Sequence, residues 1–286
     1  MVVKIFSDTA KLRLLDLDMG LVDEIASHIV AGPKLLFRNK HGIVMEFLDG
    51  RVLNEKDVHT NNHFQTTSDE RNKENIICVS LARKVALLHK QKLPKNITQT
   101  NMLWFTLQKM LDSIKSHSTI FPEFNYDLVQ KDVQYMTSVL NDLDLPIVLA
   151  HGDLKPSNVM LLHNKRQSLS NADNQWNDLM LIDFELGGYG YRGFDLCKIF
   201  RTKDQVYNEQ NQKTFIKNYI QTFHSSQNEI YNSKRQNDHI EILMKESRLF
   251  EPLTVSLFLF FLRSKLSYFT INRKSTFSTL LKSFLS

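Results

Sequence analysis

Three short apolar strands punctuated by one polar loop constrain this chain more than any other feature of it. Ile147-Val-Leu-Ala150 leads into His151-Gly-Asp-Leu-Lys-Pro-Ser-Asn158, and Val159-Met-Leu-Leu162 resumes the apolar pattern. A further apolar run, Leu179-Met-Leu-Ile182, ends in Asp183-Phe184-Glu185. Runs of four β-branched or aliphatic residues bounded by polar turns read as buried strands. Pro156-Ser157-Asn158 is turn chemistry in its own right, so a loop whose Asp and Asn merely close turns is the simplest interpretation. The order of elements argues against it: strand, polar loop, strand, then a strand that stops on an acid.

That arrangement suits phosphoryl transfer. The reaction asks the protein for a carboxylate to take the acceptor hydroxyl's proton and for oxygen ligands that hold Mg²⁺ on nucleotide phosphates. In the pattern His-x-Asp-x-x-x-x-Asn, Asp153 is the candidate base and Asn158 a neutral metal ligand. Asp183, at the end of its strand, is the anionic metal ligand. The eight-residue pattern has three fixed positions and arises by chance; the following strand ending in Asp-Phe makes it specific. His151 is expected to be a buried hydrogen-bonding post with no role as a proton carrier.

Composition narrows the classes. The 286 residues, 42% of them hydrophobic, suffice for one large domain or two lobes. The formal net charge of +5 is spread along the chain. Its basic clusters, Lys34 to Lys40 and Arg263 to Lys274, read as solvated surface, so no nucleic-acid partner is expected. Cys78 and Cys197 lie far apart without metal spacing, as in a reducing compartment. No signal peptide is read at the start. The run Leu253 to Leu262 is too short for a bilayer of about 30 Å. A cytoplasmic protein without stable membrane insertion is the expectation.

Along the chain, Met1 to Phe6 reads as a strand with Lys11 to Leu15 as its hairpin partner. Leu21 to Val30 has helical spacing and is stopped by Gly32-Pro33. Strands follow at Lys34 to Phe37 and Ile43 to Phe47, with His41-Gly42 as their turn. Thr60 to Asn75 and Asn164 to Asn177 are polar connections. Helices are expected at Asn75 to His89, Met102 to Ser116, Tyr126 to Leu143, Phe215 to Phe223, and in a long Glu241 to Phe269 region with an irregularity at Pro252. A small β-rich part thus precedes a large helical part that carries the motif. Lys4, on the first strand, fits a lysine that neutralises nucleotide phosphates, held by a helix carboxylate for which Glu24 and Asp18 are the candidates.

Leu179-Met-Leu-Ile-Asp-Phe-Glu185 and Tyr189-Gly-Tyr-Arg-Gly-Phe-Asp195 resemble the signature of the choline/ethanolamine kinase family. The likeness extends to Leu81–His89 with Lys92-Leu-Pro94, to Trp104-Phe105, to Gly32–Leu36 and Met45-Glu-Phe47, and to Glu246–Phe250. It therefore touches nearly the whole chain. It implies a protein-kinase-like α+β fold of two lobes: a partial N-terminal lobe over residues 1–48 and a mainly helical C-terminal lobe over 49–286. It implies ATP and Mg²⁺ as cofactors and a small amino alcohol, choline or ethanolamine, as acceptor in phospholipid precursor synthesis. By the same resemblance Lys4, Glu46 and Phe47 meet the nucleotide, and Glu185 lies near the metal or substrate. Tyr191, Arg192 and Asp195, with His151, support the site. A homodimer stays open.

The departures carry expectations of their own. The family's tyrosine after Asp-Phe-Glu is Leu186 here, and its Gly-Asn-His-Phe is Cys197-Lys198-Ile199-Phe200. Where a C-terminal helix of the family carries Trp-x-x-Trp around the amine, Phe258 and Phe261 stand, with Phe260 between them. These are substrate-binding candidates, with ordinary helix core as the alternative. Phenylalanine is a weaker cation–π partner than tryptophan, so a smaller preference for choline is expected. The family also opens with a strand, a Gly-rich phosphate loop and another strand, whereas this chain begins at the strand bearing the lysine. Either the gene model is incomplete, or the protein holds ATP without that flap and is a poor kinase. The rival readings are an aminoglycoside-phosphotransferase-like kinase, a protein kinase, and a pseudokinase subunit that binds a partner. The Tyr189–Asp195 block disfavours the first, and Asp183-Phe-Glu in place of Asp-Phe-Gly the second.

Overall fold

A computed structural model describes residues 1–6, 19–60, 75–94, 100–116, 125–163, 179–201, 207–225, 233–251 and 253–254. The expected strand at Lys11 to Leu15, the interiors of the two polar connections, Asp18, and Phe258, Phe260 and Phe261 lie outside the described residues.

The chain opens on an antiparallel sheet of β1 (Val2–Ile5), β2 (Leu35–Asn39) and β3 (Gly42–Met45) in the order β1-β3-β2. Lys4 pairs with Ile43 in register. The β2–β3 turn falls on Lys40-His41, one residue earlier than expected. Asn39 Oδ1 accepts the backbone N–H groups of His41 and Gly42 at 2.8 and 3.1 Å, an Asx closure of the hairpin. Gly42 opens β3 because a Cβ there would meet the Lys4 carbonyl at 2.4 Å. Helix α1 (Leu21–His28) turns Leu21, Val22, Asp23 and Ala26 inward. It ends two residues earlier than its periodicity suggests, since Val30 takes a left-handed φ of 56°.

Beyond residue 48 come β4 (Gly50–Val52), α2 (Glu55–His59), α3 (Ile76–His89), α4 (Met102–Ser116) and α5 (Tyr126–Asp142). Strands β5 (Ile147–Ala150), β6 (Val159–Leu162), β7 (Leu179–Leu181) and β8 (Gly188–Tyr191) follow, then helices α6 (Arg192–Phe200), α7 (Glu209–Phe223) and α8 (Ser233–Arg248). The strands form two small antiparallel sheets, β4-β6-β7 and β5-β8. Helix α3 starts as expected, with the Asn75 side chain accepting from the N–H groups of Ile77 and Cys78. It is buried nearly all round: Leu81, Val85 and Leu88 join Phe215, Ile216 and Tyr219 of α7 in the main core. Each such buried side chain contributes about 1.5–3 kcal/mol.

Three elements escaped the periodicity. β4 and α2 are too short to show a pattern, and α2 is held by its ends: Asn54 and Asp57 form a reciprocal capping box. Strand β8 reads Gly-Tyr-Gly-Tyr, which locally is turn composition; its pairing with β5 makes it a strand. The region expected to be helical from Glu241 to Phe269, with an irregularity at Pro252, is described only as far as Thr254, and within it the break comes before Pro252. The helix stops at Arg248, and Leu249 and Phe250 turn away into a second core with Tyr191 and Phe194 before helical residues resume at Glu251. Both residues are fully buried, so a straight helix would forfeit that packing. No described helix is long and apolar enough to cross a membrane.

Candidate active site

The loop after β5 is held from below by one carboxylate. Asp195, in the first turn of α6, is fully buried, and its Oδ2 accepts the His151 backbone N–H at 2.6 Å while Oδ1 accepts that of Gly152 at 3.0 Å. His89, the last residue of α3, places Nε2 3.1 Å from Asp195 Oδ2 and Nδ1 2.9 Å from the Tyr219 hydroxyl. Burial works to raise the Asp195 pKa, but the His89 contact and the loop N–H bonds outweigh it and hold the carboxyl below its ordinary range. The helix N-terminus favours the charge as well. Gly152 has φ 77°, and a Cβ there would lie 2.1 Å from the Leu186 carbonyl oxygen. Only glycine lets the loop pass under that segment.

His151 matches its expected role. Its Nε2 lies 3.0 Å from the Ile182 carbonyl, which can only accept, so Nε2 carries the proton. Its Nδ1 then accepts the Asp153 N–H at 3.3 Å. Burial depresses its pKa, keeping the ring neutral. The imidazole thereby ties the loop to the strand that delivers Asp183.

Asp153 is ringed by donors. Lys198 of α6 pairs with Oδ1, while Lys155 Nζ at 2.8 Å and Asn158 Nδ2 at 3.1 Å share Oδ2. Burial pushes this carboxyl up; the two ammonium groups outweigh burial and bring it below the ordinary value. Asn158 also donates to the Asp153 carbonyl at 2.9 Å. Its Nδ2 is therefore committed to the loop, and the amide oxygen is the atom left to face a cation. The backbone N–H of Ile182 donates to the Asn158 carbonyl at 3.0 Å, which ties residue 158 to the segment carrying Asp183.

Asp183 itself takes φ 67°, a left-handed conformation that costs a non-glycine residue roughly 1–3 kcal/mol and concentrates at functional positions. Lys4 Nζ pairs with Asp183 Oδ1 and lies 3.7 Å from Glu185 Oε2. Burial lowers the Lys4 pKa, and the Asp183 bond with the neighbouring acids overturns this and raises it. The expected helix partner is corrected: Glu24 pairs with Arg38 at 2.8 Å instead. The α1 carboxylate in the field of Lys4 is the neighbouring Asp23, only 7% exposed. Burial raises its pKa to about 6, against the pull of Lys4. A 3.6-residue turn separates the directions of residues 23 and 24 by about 100°, so only one can face the sheet.

The other candidates scatter. Glu46 accepts the Lys34 N–H at 2.8 Å and Phe47 is largely exposed, both just beyond β3. Tyr191 accepts from Trp104 Nε1 at 3.2 Å and donates to Asn141 at 3.2 Å, bracing α4 and α5. Arg192 grips the buried Glu246 of α8 through Nε and Nη2 at 2.7–3.0 Å. A cavity of about 730 Å³ opens beside Asp153, and its walls include Glu185, Leu186, Tyr189, Lys198 and Met102. Lys4, Glu46, Phe47, Asn158 and Asp183 are not among its wall residues. Asp183 carboxylate and Asn158 amide oxygens are hard donors of the kind Mg²⁺ takes alongside phosphate and water, so the residues present fit that ion.

Sequence reasoning missed Lys155, Lys198 and Asp23. Lys155 stood inside the loop motif, and Lys198 was visible only as a departure from Gly-Asn-His-Phe.

Comparison with known proteins completes the description. A family model described as choline/ethanolamine kinase matches residues 3–271. The chain is 26% identical over 204 residues to a probable ethanolamine kinase of Arabidopsis thaliana, covering 66% of this chain and 47% of that protein. It is 26% identical over 216 residues to choline kinase alpha of Mus musculus, covering 67% and 43%. The chain thus spans about half the length of these curated relatives. Among solved structures, an ethanolamine kinase of Plasmodium vivax superposes with TM-score 0.63 at 15% identity, covering 99% of this chain and 75% of that one. A choline kinase of Cryptosporidium parvum gives 0.62 at 16% identity, covering 99% and 80%. A gentamicin-bound aminoglycoside phosphotransferase gives 0.53 at 13% identity, covering 99% and 84%. The protein-kinase-like fold inferred from the motifs is therefore the observed one.

Proposed function

The chain belongs to the choline/ethanolamine kinase family, and on that premise we propose that it transfers the γ-phosphoryl group of ATP to the hydroxyl of an amino alcohol, ethanolamine or choline. The observation that carries the reading is a carboxylate, Asp153, that lines a 730 Å³ cavity and is joined through Asn158 to the segment carrying the left-handed Asp183, itself paired with Lys4. Two lobes meeting near residue 48 would hold the nucleotide between them.

In this reading the acceptor hydroxyl lies against Asp153, which takes its proton as the oxygen attacks phosphorus. The bond from that oxygen to the γ-phosphorus forms as the β–γ bridging bond breaks, and its electron pair leaves with ADP. Asn158 and Asp183 would hold Mg²⁺, which when bound supplies charge neutralisation across the β- and γ-phosphates. Lys4 leaves Asp183 to meet phosphate oxygens, an exchange of one anion for another. Glu185 faces the cavity where an ammonium can pair with it. The polar loop is already anchored through Asp195, so little reorganisation is needed when substrates arrive.

The test is product formation from Mg·ATP with ethanolamine and with choline, followed by phosphorus NMR, and with Asp153→Asn as control. A phosphomonoester of either amino alcohol that the control does not make supports the proposal. Nucleotide binding without transfer to either acceptor refutes it.

A further inference from the structure

We propose that Lys198 is a catalytic residue of this transfer, its ammonium moving from the base onto the phosphoryl group in flight. The inference rests on the reading of Asp153 as the proton acceptor. Asp153 Oδ2 already accepts from Lys155 at 2.8 Å and from Asn158 at 3.1 Å, which fills both of its in-plane lone-pair directions. Oδ1 accepts from Lys198. Oδ1 is therefore the carboxylate oxygen with a direction left for an acceptor hydroxyl.

The hydroxyl oxygen on Oδ1 lies about 2.6–3.2 Å away, and the phosphorus about 3–3.5 Å beyond it. A cation bonded to the same Oδ1 is then a near neighbour of both reacting atoms. Lys198 keeps two further N–H donors, with no other described hydrogen bond among the described residues, and it lines the cavity. The two other cations on that wall are placed differently. Lys155 has a side chain 47% exposed, against 17% for Lys198. Arg201 donates to the Thr254 carbonyl at 3.0 Å. The Phe194 ring centroid, 5.3 Å from Nζ, adds a cation–π contact to the ammonium.

The timing makes the contact differential. Before reaction Lys198 is matched by the Asp153 charge. As the proton reaches Oδ1 the carboxyl becomes neutral, and the ammonium is released to the phosphoryl oxygens while negative charge is still spread over them. An interaction that strengthens along the reaction lowers the barrier and leaves substrate binding almost unchanged.

The experiment compares the wild-type chain with K198M and K198R. Turnover is measured with Mg·ATP and each amino alcohol. In parallel, calorimetry without acceptor measures the affinity of Mg·ATP, and calorimetry with and without each amino alcohol measures that of Mg·ADP with tetrafluoroaluminate, a mimic of the planar phosphoryl group. For K198M we expect kcat and mimic affinity to fall by about 10²-fold or more, with Mg·ATP affinity little changed and K198R restoring much of the loss. The inference is overturned if K198M binds the mimic like wild type, or if wild type binds it no better than Mg·ADP alone. It is also overturned if the loss tracks a lowered Tm that K198R does not restore, which would make Lys198 a support for α6. A mimic effect in K198M together with no wild-type transfer to either amino alcohol would uphold Lys198 and refute the proposed acceptor.

Discussion

Asp195→Asn is the most informative single change, because the side chain touches no reacting atom yet holds the loop that does. Its two oxygens accept three hydrogen bonds: from His151 N–H at 2.6 Å, Gly152 N–H at 3.0 Å and His89 Nε2 at 3.1 Å. An amide offers one accepting oxygen. If that oxygen takes the Oδ2 place, with two bonds, the new NH₂ faces the Gly152 N–H and leaves a buried donor unpaired, at about 1–3 kcal/mol. The two surviving bonds lose charge assistance, about 1 kcal/mol each. Relief of the carboxylate's own desolvation offsets part of this. A net destabilisation of about 2–4 kcal/mol follows, and each kcal/mol lowers Tm by about 2–4 °C for chains of 150–250 residues. Urea denaturation gives the stability and steady-state turnover the second readout. Turnover should fall further than the folded fraction does, because residues 151 and 152 precede Asp153 directly. A variant within about 0.5 kcal/mol of wild type, with unchanged kcat, would refute the claim that Asp195 positions the loop.

Asp153→Asn is expected to lower turnover by about 10²–10⁴-fold, the range of a general base, while Mg·ATP affinity measured by calorimetry stays close to wild type. Asp183→Ala should instead remove the Mg²⁺ dependence of nucleotide binding; a Mg·ATP Kd equal to that of wild type would contradict the ligand assignment. Asp23→Asn should stabilise the protein. The Asp23 pKa is raised from 3.8 to about 6 on folding, so the native state favours the protonated acid, and that contribution is lost as pH rises through about 6. The variant should therefore be more stable by up to about 3 kcal/mol above pH 6 and converge with wild type below about pH 4, as read from unfolding curves across pH. A stability gap independent of pH would show that the Asp23 carboxyl titrates normally.

The sequence alone determined the strand–loop–strand frame of the site and most of the helices. Strands β5 and β6 and helix α4 have the bounds their local patterns predict, because an apolar strand between polar turns and a helix with 3.6-residue spacing are specified within a few residues. The motif order identified Asp153, Asn158 and Asp183 as the candidates for one site; the β6–β7 pairing that brings their segments together is seen only in the structure. The partners of those residues were decided only in three dimensions. Lys198 reaches Asp153 across 45 residues, Asp195 reaches Gly152 across 43, and Lys4 reaches Asp183 across 179. No local pattern encodes such contacts, and nothing within α1 says whether Asp23 or Glu24 turns toward the lysine. Strand β8 and the break at Leu249-Phe250 were decided in the same way. Glycines become a strand when β5 offers a partner ladder, and a helix ends where two fully buried side chains gain more from a neighbouring core than from another turn.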